Sequence, residues 1–548
     1  MTSGISRWAQ AALLLAALLL LNAALTFHNV WPTPAIELRG EWSVEIAALV
    51  LGLALWLRHR DGLTRRAEIF VAVLLGVFVL ARYAEVTAPA LYGRAINLYW
   101  DAQHVGGVVA MLARVAEGWQ LLAALAVVLI AFAFLGAMLR ACLRRVAAAL
   151  SNGPILERRV LLGAAASVVV LFAVDRVGGI ATLPFSIPVT QTWARQFALI
   201  GGSWLQVRRG DRSGSEEGGV AVMRDLPVLT QDAASRTDVS LVFIESYGEI
   251  AFSRPEIAQG LVGSRAQLAE SIARTGRGVV SAYVRSPTFG SGSWLAHSSL
   301  LSGVEIRDGD DYARLMMRAR PTLGDVFRAQ GYRILALMPG LRQAWPEGEF
   351  YSFDEIYGAT RLDYRGPEFG WWRIPDQFAI AQYERFERAA APQAPPRFLF
   401  FPTISSHMPF RPTPPYQPDW ARLTGPSPYG DEAARAIAQP PEWTNLAPAY
   451  SDSIAYAQRS IAGWLEQRRG QPLVLWMLGD HQPPAAVSGE GASWNVPVHV
   501  ISDRPDVLDA LLARGFVRGL TPAGEALGPM HELAPLMIES LGSPSGNR

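Results

Sequence analysis

Five apolar runs crowd the first third of the chain, and they constrain its fold more than any other feature. Residues 8–27 and 121–139 carry no charge at all. Each reaches the length of about 20 residues that crosses roughly 30 Å of hydrocarbon. Residues 46–57, 69–81 and 160–174 form shorter runs of the same kind, and flanking Trp, Tyr and Arg can carry each of them through the interface. A short run also suits a buried helix of a soluble protein. The clustering of five runs, cleanly separated by charge, favours membrane, so the expectation is an α-helical bundle of five spans over residues 1–175.

Charge sets the expected orientation. Arg58, Arg60, Arg65 and Arg66 lie between the second and third runs, and Arg140, Arg144, Arg145, Arg158 and Arg159 between the fourth and fifth. Arg-rich loops stay in the cytoplasm, which sends everything after Asp175 to the extracytoplasmic side. Residues 8–27 are long for a cleaved signal peptide, and with four more runs behind them they read as a retained anchor. Residues 87–119, with Tyr92, Tyr99, Trp100 and Trp119, suit either an interfacial helix or an ordinary helix packed on the bundle. Residues 176–237 read as an interfacial and linker segment, in which 208–219 (RRGDRSGSEEGG) is a flexible tether.

Composition removes several classes of function. The net charge is +1, without the basic excess of a nucleic-acid binder. All 49 basic residues are Arg, which excludes Schiff-base and pyridoxal chemistry and the Lys of a phosphate-binding P-loop. The single Cys, Cys142, excludes an intrachain disulfide, a redox pair and a Cys-cluster metal site.

From residue 238 to 548 strand and helix signals alternate. Strands are expected at 239–244, 278–284, 333–338, 397–403, 473–478 and 496–501, and helices at 321–330, 449–468 and 531–541. Such alternation implies an α/β domain with a mainly parallel sheet covered on both faces, and its site belongs at the carboxyl ends of the strands. Three strand ends carry chemistry: Glu245-Ser246, Ser405-Ser406-His407-Met408-Pro409-Phe410, and Gly479-Asp480-His481. Glu245, Asp480 and His481 form a ligand set suited to one Zn²⁺ or Mn²⁺ ion. Singly, each has a plain structural reading, as a cap or a buried histidine; their coincidence on successive strand ends is what points to an ion.

A nucleophile candidate lies in Gly290-Ser291-Gly292-Ser293-Trp294-Leu295-Ala296-His297. The apolar stretch that follows puts Ser293 at a helix N-terminus, where free N–H groups favour a phosphate or oxyanion. A Gly/Ser turn with a simple N-cap fits the same residues.

Together these residues resemble the sulfatase branch of the alkaline phosphatase superfamily, in which a strand-end acid, a nucleophile opening a helix and a late Gly-Asp-His recur. In that pattern the nucleophile is followed by Ser-Leu-Leu-Thr and Gly; Ser299-Leu300-Leu301-Ser302-Gly303 stands at the corresponding offsets from Ser293, which selects Ser293 over Ser291. Leu533-Ala534-Pro535-Leu536-Met537 with Leu541-Gly542 resembles the closing helix. Within the branch the chain is most similar to membrane-anchored lipoteichoic acid synthases and phosphoethanolamine transferases, with five spans before an extracytoplasmic catalytic domain. Ser405 to Phe410 resembles their substrate-side His motif, and Phe353-Asp354-Glu355-Ile356-Tyr357 a lipoteichoic-synthase segment. There are departures: Ser replaces Thr as nucleophile, Leu295 and His297 stand where formylglycine sulfatases need Pro and Arg, and Glu347 stands two residues after Trp345 where the synthases have Arg.

The resemblance implies an inner-membrane, multi-pass transferase. It would take a phosphoglycerol or phosphoethanolamine head group from a phospholipid donor, hold it covalently on Ser293, and pass it to an envelope glycan or lipid acceptor. One divalent ion, Zn²⁺ or Mn²⁺, would be held by Glu245, Ser293, Asp480 and His481. His407, His499 and Trp345 are the candidates for binding substrate, and His407 also for acid catalysis. His499, inside an apolar strand, equally suits a structural role. A hydrolase of phosphodiesters or sulfate esters would use the same centre with water as acceptor, and a non-catalytic membrane sensor is a third reading.

Overall fold

The computed structural model describes residues 7–30, 33–58, 60, 62–92, 96, 98, 118–178, 184–197, 237–317, 320–343, 345–370, 374–388, 394–439 and 442–542. Two compact units divide the chain, residues 1–210 and 211–548. The tether at 208–219 and most of the segment at 87–119 lie outside the described residues.

In the first unit each of the five runs is a helix: α1 (Arg7–Thr26), α2 (Val44–Leu57), α3 (Arg65–Tyr92), α4 (Gly118–Asn152) and α5 (Ile155–Gly178). A two-stranded ribbon, β1 (His28–Asn29) with β2 (Ile36–Glu37), joins α1 to α2. Among the described residues three helices, Arg7–Thr26, Arg65–Ala90 and Gly118–Asn152, are long and apolar enough to cross a membrane, while Val44–Leu57 is shorter. The bundle core takes Leu14, Leu21 and Leu25 from α1, Val50 and Leu53 from α2, Leu75 from α3 and Leu139, Leu143, Val146 and Leu150 from α4. The spacing in α1 and α4 is helical, one stripe facing inward. Asn22, near the end of α1, spans the ribbon: its amide donates to Glu41 O (2.7 Å) and its Oδ1 accepts from Ser43 N (2.9 Å). At the other end of the bundle Arg140 and Arg144 of α4 both donate to Glu68 in the first turn of α3, at 3.1 and 2.8 Å. Arg145 donates to Gln10 O in α1. The start of α1, the start of α3 and the Arg-rich part of α4 thus share one end.

The second unit is built from β3 (Asp238–Ile244), α6 (Val262–Arg274), β4 (Gly278–Arg285), α7 (Ser293–Ser302), β5 (Arg333–Leu337), β6 (Glu355–Tyr357), α8 (Asp376–Arg388), β7 (Arg397–Pro402), α9 (Ala447–Gln467), β8 (Leu473–Gly479), β9 (Asn495–Ser502), α10 (Pro505–Leu512), β10 (Val517–Arg518) and α11 (Leu533–Gly542), with shorter helices between them. The strands form one sheet in the order β10-β4-β9-β8-β3-β7-β5-β6. β3 runs parallel to β7 and β8, and β5 parallel to β6 and β7.

The strands keep their expected positions and the sheet is mainly parallel, as alternation suggested, with β9 antiparallel to both β8 and β4. The reason lies in its connection. A parallel return needs a crossover, usually a helix, and between β8 and β9 the helix Ala485–Ser488 has only four residues.

β3 and β8 are buried along their whole length, as central strands covered on both faces should be. Side chains alternate between two cores. Val242, Ile244, Leu473, Leu475 and Met477 pack with α6, α8 and α9; Val239, Leu241, Phe243, Val474, Trp476 and Leu478 pack with α7, α10 and α11. Fully burying each such side chain contributes about 1.5–3 kcal/mol, which pins the register that the site depends on.

Candidate active site

β3 and β8 are neighbours, with Ile244 opposite Gly479, so the next residues, Glu245 and Asp480, emerge side by side. Gly479 allows this: a Cβ there would meet Tyr247 O at 1.7 Å. The chain turns at Ser246 with φ of 60°, a left-handed conformation costing a non-glycine residue about 1–2 kcal/mol. The turn aims Ser246 N at Asp480 Oδ1 (2.8 Å), which also accepts from His481 N (2.7 Å). The end of β7 fixes Glu245 from the other side: Glu245 N donates to Thr403 Oγ1 (3.0 Å), and Ser406 Oγ donates to Glu245 O (2.7 Å).

Ser293 opens α7 after Gly292, whose φ is +79°. Its Oγ donates to Glu245 Oε2 at 2.8 Å and lies 3.1 Å from His481 Nε2. His481 Nδ1 sits 2.7 Å from Gln482 O, so in the neutral ring Nδ1 carries the hydrogen and Nε2 turns its lone pair to the cluster. That lone pair faces Ser293 Oγ and, at 3.4 Å, Glu245 Oε1.

Three ligand atoms, one each from Glu245, Asp480 and His481, lie within 4.8 Å of one another, all buried. Asp480 Oδ2 is buried with no hydrogen-bond partner. Burial, then the facing Glu245 carboxylate, pushes Asp480 well above its ordinary range. Burial also pushes Glu245 up, but protonated His407 and His481 side chains, with the hydrogen bond from Ser293, outweigh it and hold that carboxyl low. Two crowded carboxylates, an inward lone pair, a hydroxyl and an orphaned carboxylate oxygen together fit a divalent cation with O and N ligands.

His407 lies on the turn after β7, close enough for its charge to act on Glu245; its N donates to Ile404 O (3.1 Å), and its Nδ1 is 2.7 Å from Met408 O. Trp345 sits farther out, half-buried, its ring stacked on Tyr351 at 5.7 Å and near Phe353 at 6.1 Å. The segment Phe353 to Tyr357 is framework: Asp354 accepts from Ile334 N (2.7 Å), and Glu355–Tyr357 is the edge strand β6.

His499 is a correction. It lies in the middle of β9, opposite Ser281 and Met477, rather than at a strand end. Its Nδ1 is 2.6 Å from Ser281 Oγ and its Nε2 3.2 Å from Tyr247 OH. It is fully buried, and burial pushes it down to about 3. The structural reading of His499 replaces the substrate-binding one, because both ring nitrogens are engaged within the core.

Two residues of the site escaped the sequence. Asp376, in the first turn of α8, accepts from Ile404 N (2.8 Å) and Ser405 N (2.9 Å) and so pins the loop that carries His407; burial raises it to about 6. His297 lies with its Nε2 3.9 Å from Asp480 Oδ2, its ring against Phe243 (4.5 Å) and Phe400 (5.6 Å); burial pushes it down to about 3. Its signal was positional, four residues after Ser293 on one helix.

The sulfatase family model matches residues 296–497, while no curated protein matches by sequence. Among solved structures, the integral membrane lipooligosaccharide phosphoethanolamine transferase A (EptA) from Neisseria meningitidis aligns with a TM-score of 0.51 at 14% identity, over 97% of this chain and 95% of that one. The lipoteichoic acid synthase LtaP from Listeria monocytogenes gives 0.37 at 13% identity, over 60% and 79%. The Streptococcus pyogenes phosphoglycerol transferase GacH, in complex with sn-glycerol-1-phosphate, gives 0.35 at 12% identity, over 60% and 84%. At these identities the likeness to EptA speaks for the fold. The matched stretch of the second unit carries Gly479-Asp480-His481 and is similar to sulfatases, while Glu245 and Ser293 lie before it.

Proposed function

We propose that the protein is an inner-membrane, metal-dependent transferase that moves a phosphoglycerol or phosphoethanolamine head group from a phospholipid to an envelope glycan or lipid, with Ser293 as the covalent carrier. The observation that carries this reading is Ser293 Oγ at a helix N-terminus, 2.8 Å from Glu245 Oε2 and 3.1 Å from His481 Nε2.

Glu245, Asp480, His481 and Ser293 Oγ would hold one Zn²⁺ or Mn²⁺, which would lower the pKa of the serine and neutralise charge on the phosphate. Ser293 loses its proton along the hydrogen bond to Glu245 and attacks phosphorus in line. The bond to the lipid oxygen breaks, His407 protonates the leaving diacylglycerol, and the head group stays on Ser293 as a phosphodiester. An acceptor hydroxyl then attacks phosphorus and gives its proton to His407, while the bond from phosphorus to Ser293 Oγ breaks and the serine takes its proton back from Glu245. With no Lys in the chain, the phosphate oxygens fall to Arg, to the N–H groups opening α7, to the ion or to a histidine, of which His407 is the nominee. Trp345 is kept as a candidate wall of the donor pocket.

The first unit serves as a five-span anchor in this reading. The clustering of Arg140, Arg144 and Arg145 with the starts of α1 and α3 supports one cytoplasmic end, with the catalytic unit outside. Hydrolysis of a phosphodiester or sulfate ester is the second reading, favoured by the sulfatase match itself; it differs only in that water attacks the intermediate. Mass spectrometry of the protein after incubation with mixed phospholipids tests both. A head-group mass on Ser293, discharged by a glycan or lipid acceptor, supports transfer; discharge by water alone supports hydrolysis; no adduct on Ser293 under any condition overturns the covalent mechanism.

A further inference from the structure

Asp480 uses its two oxygens unequally. Oδ1 accepts from two backbone N–H groups, those of Ser246 and His481. Oδ2, equally buried, accepts from none. Two imidazole nitrogens lie near it, His481 Nε2 at 3.8 Å and His297 Nε2 at 3.9 Å; of the two, His297 Nε2 is buried without a hydrogen-bond partner. A carboxylate oxygen and an imidazole nitrogen, both buried and without a hydrogen bond, confront each other at more than hydrogen-bond length.

The placement follows from the helix. Ser293 and His297 stand four residues apart at the start of α7, on one face. One face of one helix thus sends a hydroxyl to Glu245 and His481 and an imidazole to Asp480. The ring is lodged against Phe243 and Phe400, at 4.5 and 5.6 Å, which limits the orientations it can take. His297 stands outside the group whose ligand atoms lie within 4.8 Å of one another, so its geometry is that of a partner to a ligand rather than of a ligand.

We infer that His297 is a positioning residue for the cation: its Nε2–H holds Asp480 Oδ2 in the orientation that faces the ion. This rests on the metal centre proposed above. An imidazole flanked by two phenyl rings supplies a donor without placing a second positive charge beside the cation, which an Arg at that position would do. Hydrogen-bond partners of metal ligands change affinity by about 10- to 100-fold when removed, and that is the size of effect assigned to His297.

The test uses the full-length protein in detergent, stripped by a chelator and titrated with Zn²⁺ and with Mn²⁺ against a competing chromophoric chelator. His297→Leu and His297→Gln are compared with the wild type, with melting temperatures recorded. The expected result is a dissociation constant weakened about 10- to 100-fold in His297→Leu and most of it recovered in His297→Gln. Unchanged affinity in His297→Leu overturns the inference. Equal losses of affinity and melting temperature in the Leu and Gln variants overturn it in favour of plain packing. Failure of the wild-type chain to bind either ion sinks the metal centre itself, which is a different outcome from wild-type binding that His297→Leu leaves intact.

Discussion

The two units treat large apolar side chains in opposite ways. On α1 and α4, Leu15, Leu122, Ile130 and Phe134 face outward with 59, 69, 69 and 71% of their surface exposed, while a second stripe of the same helices is packed inside. In the sheet unit, Val, Leu, Ile and Phe of β3, β7 and β8 are buried on both sides, and the groups that need a polar partner gather at the strand ends. Outward leucine on helix after helix is tolerated where the surrounding solvent is hydrocarbon; a sheet closed by helices on both faces answers to water. The difference is one of solvent, and it can be broken experimentally.

The largest effect belongs to the sheet unit. Ser293→Ala should lower transfer by about 10³-fold or more, Ser293→Thr should keep part of it, and Ser291→Ala should leave it nearly unchanged. If Ser291→Ala is the inactivating change, the nucleophile has been misplaced by two residues. Asp480→Asn and exhaustive chelation should each abolish activity, with metal lost as measured by elemental analysis; full turnover in chelator would exclude the ion.

Next comes the solvent contrast itself. Ile130→Arg on α4 should cost about 2.5–3.5 kcal/mol of membrane insertion. Ile437→Arg, at a position 43% exposed on the sheet unit, should change stability by no more than about 0.5 kcal/mol. A glycosylation-mapped insertion assay and a melt of the purified protein read the two. Equal, small effects would mean that α4 does not lie in lipid. The orientation is checked by fusions at the C-terminus: alkaline phosphatase should be active and a fluorescent protein dark, and the reverse pattern would put the catalytic unit on the cytoplasmic side.

The smallest effect is a slope. Burial lifts Asp376 from 3.8 to about 6, so the folded chain binds that proton more tightly than the unfolded chain does. As pH rises through that window the folded state gives up the proton at a cost, and stability falls. The stability of the wild type relative to Asp376→Asn should therefore decline from about pH 4 to about pH 6; a rise across that window would show that the carboxylate is held ionised instead.

Much of the sheet unit was legible because central parallel strands are continuous apolar runs, and β3, β7 and β8 lie within a residue of where such runs stand. Glu245, Asp480 and His481 were legible for a related reason: Glu245 follows one such run directly, and Asp480 and His481 follow another after a single Gly. What a linear reading could not supply was adjacency. Ile244 and Gly479 are neighbours only through the sheet, and nothing local announces it. The direction of β9 was hidden because it depends on the connection before it, not on the strand. His499 misled for the same cause, since its partners Ser281 and Tyr247 arrive from distant segments. Asp376 had only its place in a helical first turn, after Pro375, to mark it. In the first unit, hydropathy located all five helices but not how each is to be matched to a bilayer, because α2 has 14 residues and α4 has 35.

The bare α-carbon of Gly479 has a consequence for tolerance to change. The gap between the Glu245 and Asp480 branches is gauged by main-chain atoms, the Tyr247 carbonyl lying where any Cβ of residue 479 would be. Main-chain dimensions are the same whatever the neighbouring side chains are. The hydrophobic packing around β3 and β8 can therefore drift from sequence to sequence while the bite of the carboxylate pair stays constant, and the one substitution that would widen it is the smallest available, a methyl group.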